Sequence, residues 1–224
     1  MNPKIAIFQH VPHEPSGYFE TIFHDRDIPF EYIRLYETHE VPRHLSNPSH
    51  LVFMGGPMSV NDEDTYPWLK QEKDLIRRSV KTGQNVLGVC LGAQLIASAH
   101  WAKVYPFVQE TGWHVLNRAT SASGIFSSFP ELFHVFQLHG ETFDIPFHGR
   151  LLAYGKNVRN QAFAYRNALG LQFHLEMTDE IVREWSKDLR KYQQSAIARD
   201  TPRYLAESNR LCRMVADHFI RSKD

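Results

Sequence analysis

The sequence predicts an α/β fold: a central, mostly parallel sheet flanked by helices, with a small antiparallel addition. Two patterns carry this expectation. Short apolar, β-branched runs alternate with segments of helical period in the first hundred residues. From Lys103 to about Arg166 the chain changes to many short strand-like runs separated by Gly, Pro and Ser. With 224 residues and 42% hydrophobic content, a single sizeable core can be buried, so one domain over residues 1–224 is expected.

The elements follow in order. Ile5 to Phe8 reads as the first strand, Gly17 to Phe23 as a short helix and Tyr32 to Leu35 as the second strand. The third strand, Leu51 to Met54, stops abruptly at Gly55-Gly56-Pro57. A helix is expected from about Pro67, with Thr65 or Asp64 placed to cap it and Gly83 to close it, and with Leu69, Leu75, Ile76 and Val80 facing the sheet. The strand Val86 to Val89 then meets the small, apolar helical segment LGAQLIASAHWA, with Cys90 at the junction. KVYPF, HVLNR, LFHVFQL, RLLAY and QAFAY read as the antiparallel addition, and LGLQFHLE returns to buried-strand character. Helices are expected over roughly Asp179 to Ala198 and Pro202 to Ile220, separated at the proline.

Composition narrows the function classes. Lys plus Arg equals Asp plus Glu at 25 each, so no net field draws the chain to nucleic acid or an anionic membrane. No apolar run approaches the roughly 18 residues of a spanning helix, and MNPKIAIFQH has neither a signal core nor a cleavage site; a cytoplasmic location is expected. Two cysteines, Cys90 and Cys212, are too few for a disulfide framework, and Cys212 in LCRMVADHF is expected to pack in the core. Thirteen histidines occur without HExxH or Cys/His ligand spacing, and His10, His13, His24, His39, His44 and His50 fall in loop-like polar stretches, so no metal site and no cofactor are expected.

Gly88-Val89-Cys90-Leu91-Gly92 has the G-x-nucleophile-x-G form of a tight strand-to-helix turn, with Cys in the Ser position. The glycines leave room where a side chain would crowd the neighbouring strand or helix. A sulfur at a helix N-terminus meets unpaired N–H groups and the positive end of the dipole, which stabilise negative charge there. The Leu91 N–H is aimed where an oxyanion would form. An inert cysteine at a buried strand end is the competing reading. His174 ends an apolar run and Glu176 follows two residues later, on the same side of an extended strand, so a base and its orienting carboxylate fit. A core histidine with a helix-leading acid fits as well. At Gly55-Gly56-Pro57 a glycine N–H could supply a second oxyanion donor, or the segment could be a simple turn.

GVCLGAQ, GGPM and QFHLE, in this order and at these separations, resemble the class I glutamine amidotransferase (GATase1-like) family. YPWL, VYPFVQETGW, QLHGETFDIP, NQAFAY and LQFHLE are similar to its stand-alone, GMP-synthase-like members, and the resemblance covers nearly the whole chain. It implies the family's flavodoxin-like fold, Cys90 as nucleophile, His174 as base and then acid, and Glu176 as the orienting carboxylate. It further implies oxyanion-hole N–H groups at Gly56 and Leu91, and glutamine binding by Gln94, His139, Gly140 and Glu141. His139 and Glu141 also fit a structural turn pair.

The chain departs from many synthetase-partnered members at Ala93, where His is usual, at Leu175, where Pro is usual, and at Glu141, where Asp is frequent. With the sequence ending soon after Ile220, an ATP-using synthetase segment on the same chain is not expected. The expected activity is hydrolysis of the glutamine side-chain amide, releasing ammonia to an acceptor or a synthase subunit. Two alternatives stay open: a γ-glutamyl peptide hydrolase, with aromatics around Trp113 and Phe143 lining a larger pocket or merely packing in the core, and an amidotransferase subunit active only with its partner.

Overall fold

A computed structural model describes residues 4–221 except 43 and 46; Met1–Pro3 of the expected leaderless start lie outside the described residues. Five parallel strands come first: β1 (Ile5–Gln9), β2 (Phe30–Arg34), β3 (His50–Phe53), β4 (Asn85–Val89) and β9 (Ala168–Leu171). Their order, β2-β1-β3-β4-β9, places the ends of β3, β4 and β9 side by side at the carboxyl edge, where open α/β sheets hold ligands. The sheet continues antiparallel through β8 (Ala162–Tyr165), β7 (Arg150–Tyr154), β5 (Val104–Arg118) and β6 (Leu132–Phe143).

Successive strand residues alternate between two cores, as a pleat requires. Ile5, Ile7, Val52, Leu87 and Val89 pack against Phe19, Ile22 and Phe23 of α1 (Tyr18–Asp25) and Leu211, Cys212, Val215 and Phe219 of α6 (Lys191–Arg221). Ala6, Phe8, Leu51, Phe53 and Val86 pack against Leu69, Ile76 and Val80 of α3 (Trp68–Thr82) and Leu95 and Ile96 of α4 (Leu91–Ala99), with Leu75 at the margin. The one-turn α2 (Leu35–Thr38) follows β2, and α5 (Asp179–Ser186) closes a third cluster through Ile181, Val182 and Trp185.

Four expectations need correction. Pro67, not Thr65 or Asp64, stands at the head of α3, which has no side-chain cap; Asp62 instead binds the Ser59 N–H and closes the preceding turn. KVYPF and HVLNR form one long strand, β5, interrupted by a register irregularity between Pro106 and Glu110. The helix break falls after α5, and α6 runs through Pro202. That proline removes one N–H, but Thr201 Oγ1 donates to Ile197 O at 2.7 Å and accepts from Trp113 Nε1 at 3.0 Å, so packing carries the helix across it. Finally, His10 and His50 are buried and His24 lies in α1, not in polar loops.

Candidate functional site

Cys90 ends β4 and heads α4 with φ 53°, a strained conformation for a residue with a side chain. Surrounding bonds fix it: its N–H donates to Leu171 O of the neighbouring strand at 2.7 Å, and Gly92 N–H donates to Met54 O at 3.2 Å. The flanking glycines are demanded by space, since a Cβ on Gly88 would stand 2.3 Å from Gly92 O and one on Gly92 2.0 Å from Phe53 O. Ala93 and Gln94 N–H groups bond Cys90 O, which leaves Leu91 as the first helical residue, whose N–H has no carbonyl within its own helix.

His174 and Glu176 follow β9, beside β4. The segment leaves the regular strand after Leu171, yet His174 stays extended through paired backbone bonds with Phe136, at 2.9 and 3.2 Å. Its Nδ1 lies 2.6 Å from Glu176 Oε1, with both residues buried, and Trp185 packs edge-on against the ring at 4.8 Å. Burial opposes a charge on His174, but the Glu176 carboxylate and hydrogen bonds to Cys90 and Glu176 outweigh it, so the imidazole's pKa stands well above its ordinary value. The imidazole thus sits between the Cys90 thiol and the Glu176 carboxylate, an arrangement able to take a proton from sulfur and return it to a leaving group.

A cavity of about 510 Å³ opens over the sulfur and is lined by Gly56, Cys90, Gln94, His139, Gly140 and Glu141 among others. The structure therefore gathers the residues singled out in the sequence at one place, with His174 and Glu176 behind Cys90. Gln94 and His139 meet at a backbone atom: Gln94 Nε2 and His139 Nδ1 lie 3.4 and 3.0 Å from Glu141 O. His139 Nε2 is 3.3 Å from Glu110 Oε2, and Gln161 ties Glu110 to Gln137. Burial pushes the Glu110 carboxyl up, but His139, His114 and Gln161 together hold it below its ordinary value.

Sequence reasoning missed Gln172, whose Nε2 lies 3.8 Å from Cys90 Sγ and whose Oε1 accepts from Gln94. It sits in the LQFHLE run two residues before His174, so strand periodicity could have found it. Also missed were Glu14, half-buried and facing His174, and the His10–Glu72 pair; burial pushes the Glu14 carboxyl up despite the nearby histidines. Phe143 and Trp113 do not line the cavity over Cys90: Phe143 packs on Phe163 in the core and Trp113 on Phe136 and Tyr204. Among the described residues no cluster could hold a metal ion, and no helix is long and apolar enough to cross a membrane.

Known proteins resemble this chain in sequence and fold. The family model for glutamine amidotransferase class-I matches residues 21–183. A glutamine-hydrolyzing GMP synthase of Thermomicrobium roseum is 34% identical over 137 residues, 60% of this chain; the chain spans 24% of that protein's length. A putative glutamine amidotransferase-like protein, YfeJ, of Salmonella typhimurium is 26% identical over 80% of this chain and 78% of its own. The crystal structure of a glutamine amidotransferase from Thermotoga maritima superposes with a TM-score of 0.88 at 29% identity, covering 99% of this chain and 100% of that one. One from Methylobacillus flagellatus gives 0.89 at 28%, covering 100% and 96%. The strand order, the strained cysteine between β4 and α4, and these matches agree: the chain belongs to the class I glutamine amidotransferase family.

Proposed function

We propose that the chain works as one domain that hydrolyses the side-chain amide of glutamine through a γ-glutamyl thioester on Cys90. The observation that carries the reading is the strained Cys90 at the floor of a cavity, beside a buried His174 whose Nδ1 lies 2.6 Å from Glu176 Oε1. The Cys90 thiolate attacks the amide carbon, and the tetrahedral oxyanion is met by the N–H groups of Gly56 and Leu91. Imidazolium His174 passes its proton to the amide nitrogen, the C–N bond breaks and ammonia departs, leaving the thioester. Neutral His174 then takes a proton from water, whose oxygen attacks the thioester carbon, and glutamate leaves as the thiol is restored. Gln94, His139, Gly140 and Glu141 shape the pocket for the amino-acid end of the substrate.

Relatives described as GMP synthases support a synthase subunit as the ammonia acceptor, and two unpaired thiols support a cytoplasmic setting. The test is Cys90→Ala. The wild-type protein should release ammonia from glutamine and gain one adduct by intact mass from a γ-glutamyl diazoketone, whereas the variant should do neither while keeping its melting temperature within a few degrees. Full glutamine turnover by Cys90→Ala sinks the proposal. Parallel assays with γ-glutamyl dipeptides decide the leaving group, and a strong preference for a dipeptide over glutamine would overturn the ammonia-releasing reaction.

A further inference from the structure

His10, just past β1, and Glu72, in α3, form a buried pair that the proposed chemistry leaves unused. Nε2 of His10 lies 3.0 and 3.3 Å from the two Glu72 oxygens, both side chains have 0% exposure, and Trp68 stacks on the imidazole at 5.4 Å. Such a pair is a poor device for stability, because two apolar residues of similar volume fill the same space without the desolvation cost. Its other contact is informative: His10 Nδ1 lies 2.9 Å from Gly55 O.

A carbonyl oxygen only accepts, so Nδ1 must carry a proton, and the Glu72 carboxyl at Nε2 fixes the ring in that form. Burial works against charge on His10, yet Glu72, aided by Gly55 and Glu14, raises its pKa above the ordinary value. In a trans peptide the C=O and the following N–H point in opposite directions. Holding Gly55 O toward His10 therefore turns the Gly56 N–H away from His10, and Gly56 lines the cavity with Cys90. A peptide between two glycines is easily rotated, so this orientation needs an external hold. The tight fit adds to it, for a Cβ on Gly56 would lie 3.1 Å from His10 Cβ and 2.8 Å from Leu91 Cδ2.

We propose that His10 and Glu72 are positioning residues, which lock the Gly55–Gly56 peptide so that the Gly56 N–H is preset to receive the oxyanion formed at Cys90. The proposal rests on the glutamine-hydrolysing function assigned above. The experiment compares glutamine hydrolysis with alkylation of Cys90 by iodoacetamide, a displacement at a tetrahedral carbon that builds no oxyanion. In His10→Phe with Glu72→Met, which leaves no unpaired buried carboxylate, kcat should fall about 30- to 100-fold, somewhat less than outright loss of an oxyanion donor. KM should stay within about threefold and the alkylation rate within about twofold, since neither reads the N–H. His10→Asn, whose amide nitrogen stands near the place of Nδ1, should recover most of kcat. If the double variant does not fold, Glu72→Met alone releases the ring form and should lower kcat about tenfold in the same pattern.

Retention of kcat within threefold, or alkylation slowing in step with kcat, overturns the proposal; the second result would place the pair behind the nucleophile. A wild-type protein that is alkylated but never hydrolyses glutamine refutes the assigned function, and the positioning role falls with it.

Discussion

Glu176→Gln isolates the carboxylate's charge from its shape. In the native site the Glu176 carboxyl group and the His174 imidazole lie 2.6 Å apart at their nearest atoms, both shielded from water. Two unit charges about 4 Å apart attract by about 4 kcal/mol at an effective dielectric of 20. The glutamine amide still accepts from Nδ1 and returns about 1 kcal/mol, leaving a deficit of about 3 kcal/mol. If the transition state carries imidazolium, that deficit lowers kcat about 100- to 200-fold.

The same change moves the pH profile. His174's pKa lies well above its ordinary value, mainly through Glu176 acting against burial, so wild-type activity should persist into alkaline buffers and the variant's decline should begin at lower pH. Stability follows in sign: a raised histidine pKa stabilises the fold fully below its ordinary value of 6.5, and this is lost as pH rises through the folded value. The variant's melting deficit should therefore be larger at pH 6 than in strongly alkaline buffer. Ammonia release at saturating glutamine from pH 6 to 10 provides the measurement. A kcat within threefold of wild type at pH 7, with an unmoved alkaline limb, would refute the coupling.

Two further outcomes are expected. Gly92→Ala drives a Cβ to 2.0 Å from Phe53 O, a backbone atom that cannot rotate aside, so β3 and α4 must separate; about 3 kcal/mol of overpacking should lower the melting temperature by about 6–12 °C in calorimetry. Cys212 is fully buried on α6, and desolvation, with Glu176 nearby, pushes its thiol pKa well up. Native protein should thus take a single iodoacetamide adduct at pH 8, and Cys212→Ser should cost about 1–2 kcal/mol in denaturant melts while glutamine turnover is unchanged; two adducts on native protein would contradict this burial.

The sequence shows the parallel half of the sheet clearly because its buried strands are runs of apolar residues, two of them ended by a glycine or cysteine, at Phe53-Met54-Gly55 and Val89-Cys90. Cys90, and His174 with Glu176, stood out for a related reason: each falls in a short local pattern, G-x-C-x-G or H-x-E, at a conspicuous strand end. The antiparallel half was harder. KVYPF and HVLNR read as two strands, although β5 takes in Pro106 at an irregularity and continues to Arg118. Pro202 suggested a helix break, yet the side chain of Thr201 and the packing of Ile197 carry α6 past it.

His10 and Glu72 had no local signal at all. In sequence Glu72 is one more charge on an amphipathic helix, and only the fold carries it to a histidine 62 residues away. Gln94 and His139 show a third case. The sequence identified them, but their bonds to Glu141 O became visible only with the backbone in place.

The pairing of β4 with β9 has a consequence for biosynthesis. Cys90 leaves the ribosome well before its proton acceptor, and even Gln172, which touches the sulfur, is 82 residues further along. During that interval the sulfur emerges as an ordinary thiol with no imidazole beside it. Under the proposed mechanism, chemistry would begin only when the last parallel strand inserts, so ammonia release would read out completed folding.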